Sequence, residues 1–410
     1  MNGTKLYQKL AIVPIVALGL AVAGCNKQAD NGIITPTTTA NTSTTTTTGK
    51  NTTLNYSKNS PLDTSNMFTQ TDLTQTVDTT NAKKISLEDG KDVTIDAAGT
   101  YVITGTAKNS TVIVNASADA EVHLVFDNVS ITNTNKPTVY AINAKNVYVT
   151  TTQNSTNNLK VTGEFTEDDG NDINAVIFAK TNITLNGLGT LNIDSSANGV
   201  ASNSDLKITG GIYNVNTIKH GFKALNSIRV ADGTFNINAT KDGFHSENED
   251  DLTTGYVYIA GGNFTINSED DGIQGTSITE IDGGTFNINA FEGIEGTYVQ
   301  INDGTIKIYA TDDGINASEK ATNYDVQIEI NGGNLDITMA EGDTDALDAN
   351  GTLTINGGYI NITAQFAFDF DLTASLNGGT VIVNGTQVTS ITNSMMEGGG
   401  GPGGFGGPQH

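Results

Sequence analysis

Tryptophan is absent from all 410 residues, so any aromatic stacking surface has to be built from tyrosine or phenylalanine. Cysteine occurs once, at Cys25, which excludes an internal disulfide framework and a thiolate metal cluster. Arginine also occurs once, at Arg229, and Lys and Arg together number 20 against 45 Asp and Glu. A chain of net charge −25 has no basic surface for neutralising phosphates, which argues against nucleic acid as a partner. It also repels anionic polymers unless a cation lies between. Beyond residue 23 no apolar run is long enough to span a bilayer, and no segment sustains a helical period.

What is present begins at the amino terminus. Lys5 and Lys9 precede an apolar run from Leu10 to Ala23, too short for a membrane span and shaped like a signal peptide. It ends in Val22-Ala23-Gly24-Cys25, which resembles the lipobox of bacterial lipoproteins. That resemblance implies lipidation of Cys25 and an extracellular protein held at the cell surface, touching membrane only through its lipid. Thr35 to Thr53 is dominated by threonine and offers almost no apolar surface to offset the entropy of ordering. Residues 25–84 are therefore expected to be a tether, and the glycine-rich residues 397–410 a disordered tail. Between them, residues 85–396 are long enough for a large core.

That middle region repeats. Ile208-Thr-Gly-Gly-Ile-Tyr-Asn-Val-Asn216, Val230-Ala-Asp-Gly-Thr-Phe-Asn-Ile-Asn238 and Ile259-Ala-Gly-Gly-Asn-Phe-Thr-Ile-Asn267 open a series that runs on to Leu376–Asn384. From one second-turn residue to the next (Gly211, Gly233, Gly262, Gly284, Gly304, Gly333, Gly358, Gly379) the spacing is 22, 29, 22, 20, 29, 25 and 21. Such spacings are those of solenoid coils; a propeller blade needs about 40–50 residues. Apolar and polar residues alternate within each unit, a strand period, and the Gly-Gly or Asp-Gly pair supplies a corner. The predicted fold is all-β: a single-stranded right-handed parallel β-helix. Equivalent residues then stack, placing Tyr213, Phe235, Phe264, Phe286, Ile306, Leu335, Ile360 and Val381 in one interior column.

A second motif follows each corner: Lys219-His-Gly-Phe-Lys-Ala224, Lys241-Asp-Gly-Phe-His-Ser246, Asp270-Asp-Gly-Ile-Gln-Gly275, Phe291-Glu-Gly-Ile-Glu-Gly296, Asp312-Asp-Gly-Ile-Asn-Ala317 and Thr344-Asp-Ala-Leu-Asp-Ala349. Stacking makes one column of His220, Asp242, Asp271, Glu292, Asp313 and Asp345, and another of Lys223, His245, Gln274, Glu295, Asn316 and Asp348. Carboxylates about 5 Å apart repel by roughly 3 kcal/mol at an effective dielectric of 20, so the column requires protons or cations. Its oxygen donors favour calcium over softer metals. Candidate metal ligands are Asp242, Asp270, Asp271, Glu292, Glu295, Asp312, Asp313, Asp345 and Asp348; Lys223, His245, Gln274 and Asn316 are candidates for contacting a ligand. Asp-Gly also suits a solvated corner by itself, so the alternative without metal stays open.

The Asp-Asp-Gly-Ile, Glu-Gly-Ile-Glu and Asp-Ala-Leu-Asp elements, the Gly-Gly-Thr-Phe corner and the glycine-rich tail together resemble the clostridial carbohydrate-binding β-helix proteins, which are pectate-lyase-like. The resemblance spans about residues 85 to 396 and implies calcium and a polysaccharide partner of plant cell-wall type, pectin or cellulose. His220 departs from it, standing where an acid is expected. A monomeric glycan-binding protein is the leading expectation, with Tyr256, Tyr258, Tyr298 and Tyr309 as possible platforms. The alternatives are a lyase using Lys223, Lys241 or Arg229 as base, and a surface scaffold with structural calcium.

Overall fold

Alternation with corner glycines leaves the chain no route but to coil, and the computed structural model describes that coil over residues 61–166, 173–342 and 344–394. Cys25, the signal peptide, the threonine-rich stretch and the 397–410 tail lie outside the described residues. One coil conveys the architecture. Thr234–Ala239 runs along a first face, A; Phe244–Ser246 lies on a second, B; Tyr256–Ile259 lies on a third, C. The Gly261-Gly262 corner then returns the chain to face A at Asn263–Ser268. Every face is a parallel ladder between successive coils, so the parallel β-helix is the fold. Residues 85–200, less regular in sequence, form coils of the same three-faced type.

The predicted columns are in register. Phe235 pairs with Tyr213 on one side and Phe264 on the other, and Phe264 with Phe286. Strand spacing near 4.8 Å stacks their rings. Centroids are 5.2 Å apart for Tyr213–Phe235, 4.7 Å for Phe235–Phe264 and 4.4 Å for Phe264–Phe286. Phe222 and Phe244, facing inward from B, form a second stack at 5.0 Å that meets the first edge-on, Phe222 crossing Phe235 at 84°. The second glycine of each A corner takes positive φ; at Gly262 (+120°) a Cβ would also lie 3.0 Å from the Gly233 carbonyl oxygen.

Outward positions of face A carry amide rows. Asn158, Asn192, Asn214 and Asn236 form one, and Asp194, Asn216, Asn238 and Asn267 another, each linked to the next at 2.7–3.2 Å. Asp282, Asn302, Asn331, Asn356 and Asn377 form a third at the C-to-A corner. At the carboxy-terminal end, Asn384 (φ 49°) and Gly385 (φ 78°) make a tight turn. It folds Thr386–Val388 antiparallel onto Thr380–Val383, pairing the last strand of face A.

The expected tether, residues 25–84, needs correction over its described part. Among the described residues strands begin at Lys83, and residues 61–82 pack on face C instead of leading freely away from it. Thr69 and Asp72 cap a single helical turn, Gln70–Leu73, by mutual hydrogen bonds. Met67 and Phe68 pack on Ala231 and Tyr258. Asp72, 1% exposed, accepts from Lys207 Nζ at 2.8 Å and Thr184 Oγ1 at 2.9 Å. Gln75 bonds the Thr209 carbonyl and the Gly187 amide. Polar composition concealed this strap because its few apolar residues and one buried acid all point at a preformed surface. Among the described residues no helix is long and apolar enough to cross a membrane.

Candidate metal centre

The acidic motif forms the corner from face A to face B. Its glycine is required by close approach: a Cβ on Gly272 would lie 2.5 Å from both the Gly293 carbonyl oxygen and Ile288 Cγ2. With Ile273 locked inward in register with Phe244 and Ile294, the residues on either side are held outward and stacked. Backbone bonds from Gly243 N to Asp271 O, Gly272 N to Glu292 O and Gly293 N to Asp313 O tie the corners into one column.

The two predicted columns converge on each other. Asp242, Asp270 and Asp271 place oxygens within 4.8 Å of one another; so do Asp271, Glu292 and Glu295, and again Glu292, Asp312 and Asp313. Gln274 Nε2 donates to Asp271 Oδ2 at 2.8 Å and to Glu295 Oε2, bridging the acids. Asn316 Nδ2 donates to Glu292 Oε2 at 3.0 Å. These donors do not balance the charge. Burial, with Asp242, Glu295 and Glu292 close by, pushes the Asp271 carboxyl up to about 10. Burial and Glu295 push Glu292 up to about 8, and burial and Asp348 push Asp313 up to about 7. Asp348 rises to about 6 through burial and the nearby Asp369. Protons or cations must hold this column together.

Asp242 behaves oppositely. Burial disfavours its charge, yet His220 and His245 hydrogen-bond to it and hold it well below the usual carboxylate range. Asp345 and Asp348 continue the columns without completing a three-donor group among the described residues. Buried Oδ1 atoms of Asn316 and Asp348 meet no hydrogen-bond donor there, so the donor set suits a hard, oxygen-seeking cation.

Of the residues expected to contact a ligand, His245, Gln274 and Asn316 are buried among the acids, and Lys223 is partly exposed above them in register with His245. Two other expectations are corrected. Arg229 lies on face C, bound to Asp205 at 2.7 Å and to the Met67 carbonyl beneath the strap, far round the coil from the acids. Tyr258 is fully buried and Tyr256 half-buried, both against the strap, so neither is an open platform. Tyr298, half-buried, is tied to Glu329 at 2.5 Å, whereas Tyr309 stands exposed on face A. Lys241 is bound to Asp270 at 2.6 Å, which raises its already high affinity for a proton.

Three contributors escaped the sequence reading. Lys320, in the longer 318–326 loop, reaches Glu295 Oε1 at 2.8 Å. Glu247 contacts His245 Nε2 at 3.2 Å. Asp369 extends the second column beneath Asp348 with no glycine corner to announce it. Beside the corner, a groove of about 720 Å³ runs along face A, lined by Asn216, Asn238, Asn267, Asn289 and Glu269.

A family model for carbohydrate-binding domain-containing proteins matches residues 89–298 and 290–395. A carbohydrate-binding domain-containing protein of Acetivibrio thermocellus is 33% identical over 124 residues, 30% of this chain and 43% of that protein, so the match spans less than half the relative's length. A solved structure of a polysaccharide lyase-like protein from C. thermocellum, a gadolinium derivative, is 25% identical; the match covers 64% of this chain and 98% of that one, with a TM-score of 0.47.

Proposed function

This chain belongs to the carbohydrate-binding domain-containing protein family, and from that premise we propose that it is a calcium-dependent polysaccharide-binding lipoprotein of the cell surface. The ligand class is a plant cell-wall-type acidic glycan such as polygalacturonate. The observation that carries the reading is the Asp271–Glu292–Glu295 group, three acids within 4.8 Å whose charged forms need a cation. Calcium, when bound, supplies a divalent charge with six to eight oxygen positions at about 2.3–2.6 Å, enough to be shared between protein and a uronate carboxylate. Asp271, Glu292 and Glu295 offer oxygens from the protein side, while Gln274 and Asn316 orient them. The groove along face A lies beside this corner, and its row of asparagines suits the hydroxyls of an extended chain. Attachment through Cys25 is part of the proposal: Cys25→Ala should release the protein from the membrane fraction.

The test is calorimetry on the full chain stripped of metal. Calcium is titrated first, then polygalacturonate with and without calcium, with cellulose as a neutral comparison. Heat on calcium addition, and polygalacturonate binding only in its presence, are expected; Glu292→Gln should lose both. Absence of calcium heat, or equal glycan binding in chelator, would overturn the reading. A lyase remains a second reading because Lys223 makes no ion pair among the described residues and stands above the column. Ultraviolet absorbance of unsaturated products, lost in Lys223→Ala, would support it.

A further inference from the structure

At the amino-terminal end of the acidic column the donors change from oxygen to nitrogen. His220 and His245, on consecutive coils, stack at 4.3 Å. Asp242 Oδ2 lies 3.3 Å from His220 Nδ1 and 2.5 Å from His245 Nδ1. One nitrogen of each ring and one Asp242 oxygen all fall within 4.8 Å of one another. The far nitrogen of His245, Nε2, lies 3.2 Å from Glu247 Oε2. Asp242 and His245 are 2% and 7% exposed while the His220 side chain keeps 15%, so the site is largely buried but reaches solvent at His220.

The hydrogen-bonding roles narrow what fits there. A carboxylate only accepts, and His245 stands between two of them, so without a metal both its ring nitrogens carry protons, Nδ1 toward Asp242 and Nε2 toward Glu247. A metal ion taking the place of the Nδ1 proton toward Asp242 would leave the Nε2 proton held by Glu247. His220 Nδ1 accepts the Asp242 backbone N–H at 3.3 Å, so its lone pair is turned to that side and an ion there would displace this N–H. One nitrogen of each stacked ring and one carboxylate oxygen thus border the same small space. A carboxylate behind the ligating imidazole is the usual device for fixing its tautomer and aim. Tetrahedral sites with bonds of about 2.0–2.1 Å separate their donors by about 3.3 Å, the spacing present between His220 and Asp242, whereas His245 at 2.5 Å from Asp242 would have to draw back to admit an ion. Calcium prefers oxygen, whereas two nitrogens and one oxygen suit zinc-class ions.

We infer that His220, Asp242 and His245, with Glu247 orienting His245, form a separate site for a zinc-class transition metal ion beside the oxygen-only column. Three protein ligands leave a fourth position open to water or a ligand's oxygen. The inference stands whether or not the glycan reading holds.

Cobalt(II) serves as the visible probe on the full chain saturated with calcium. One equivalent should bind, with the absorption bands of a low-coordinate nitrogen–oxygen site, be displaced by zinc and resist excess calcium. His220→Gln and His245→Gln should each weaken binding at least tenfold, and Glu247→Gln by about 10–100-fold, the usual loss for an orienting partner. Ring-nitrogen NMR of the unaltered protein should show both histidines shifting with zinc, a readout needing no variant. Cobalt displaced by calcium, undiminished uptake in both histidine variants, or unmoved histidine signals would overturn the inference.

Discussion

Raising the pH of the calcium-free protein from about 5 to about 8 should cost thermal stability that calcium restores. Asp271 supplies the reasoning. Its folded carboxyl titrates near 10, far above its unfolded value near 3.8. A carboxyl raised in this way contributes stability that is whole below the unfolded value and lost as pH rises through the folded one. Between pH 5 and 8 the unfolded chain has released that proton while the folded chain retains it. Stability then falls by about 1.36 kcal/mol per pH unit, or about 4 kcal/mol over three units. Unfolding entropy of about 2.1 cal/mol/K per residue, over residues 61–394, is about 0.7 kcal/mol/K, so the loss is about 6 °C. Glu292, near 8, and Asp313, near 7, steepen the fall at its acid end. With calcium bound the carboxylates are ionised in both states, and the slope should vanish. Melting followed by circular dichroism, in chelator and in excess calcium across this pH range, makes the comparison. A flat profile in chelator, or the same slope with calcium, would refute the account of the column.

Asp72→Ala breaks a buried pair with Lys207, a change usually costing about 3–5 kcal/mol. The cost should fall on the strap: limited proteolysis should cut within residues 61–82 while the coils keep their melting temperature. Gly272→Ala drives a Cβ to 2.5 Å from the Gly293 carbonyl oxygen and from Ile288, and should cost about 1–3 kcal/mol. It should also weaken calcium binding by moving Asp271 against Glu292; an unchanged melt and titration would mean the corner is not close-packed. Lys320→Gln removes a cation that competes for Glu295, and calcium affinity should rise about fivefold, the equivalent of about 1 kcal/mol, by calorimetry.

A solenoid makes its contact map readable, because positions aligned in sequence are positions stacked in space. That is why the run from Tyr213 to Val381 was legible, and why Asp271, Glu292 and Glu295 came out as neighbours. Legibility failed where contacts leave the coil rule. The strap joins residues more than 100 positions apart, as Asp72 does with Thr184 and Lys207, and no period announces such contacts. A signal was present nonetheless: Met67-Phe68 followed by Thr69-Gln-Thr-Asp72 is an apolar pair ahead of a capping box. Arg229 and Tyr258 were misplaced because nearness in sequence hides the turn from one face to another. Burial of His245 and Gln274 was also unreadable, since it depends on side chains of adjacent coils turning toward each other.

The asparagine rows give the solenoid a direction. A carboxylate cannot donate, so Asp194 at the head of one row forces Asn216 to turn its NH2 toward it. The Asn216 carbonyl then faces the next coil, where Asn238 must donate, and Asn267 after it. Asp282 imposes the same order on Asn302, Asn331, Asn356 and Asn377. Backbone bonds between coils run both ways, Gly243 N forward to Asp271 O and Ala260 N back to Val230 O, and largely cancel. The side-chain dipoles all point one way and reinforce one another. Face A is therefore electrically polarised along its length, hydrogens toward the amino-terminal coils and oxygens toward the carboxy-terminal ones. A polymer with its own chemical direction meets a different surface depending on which end leads.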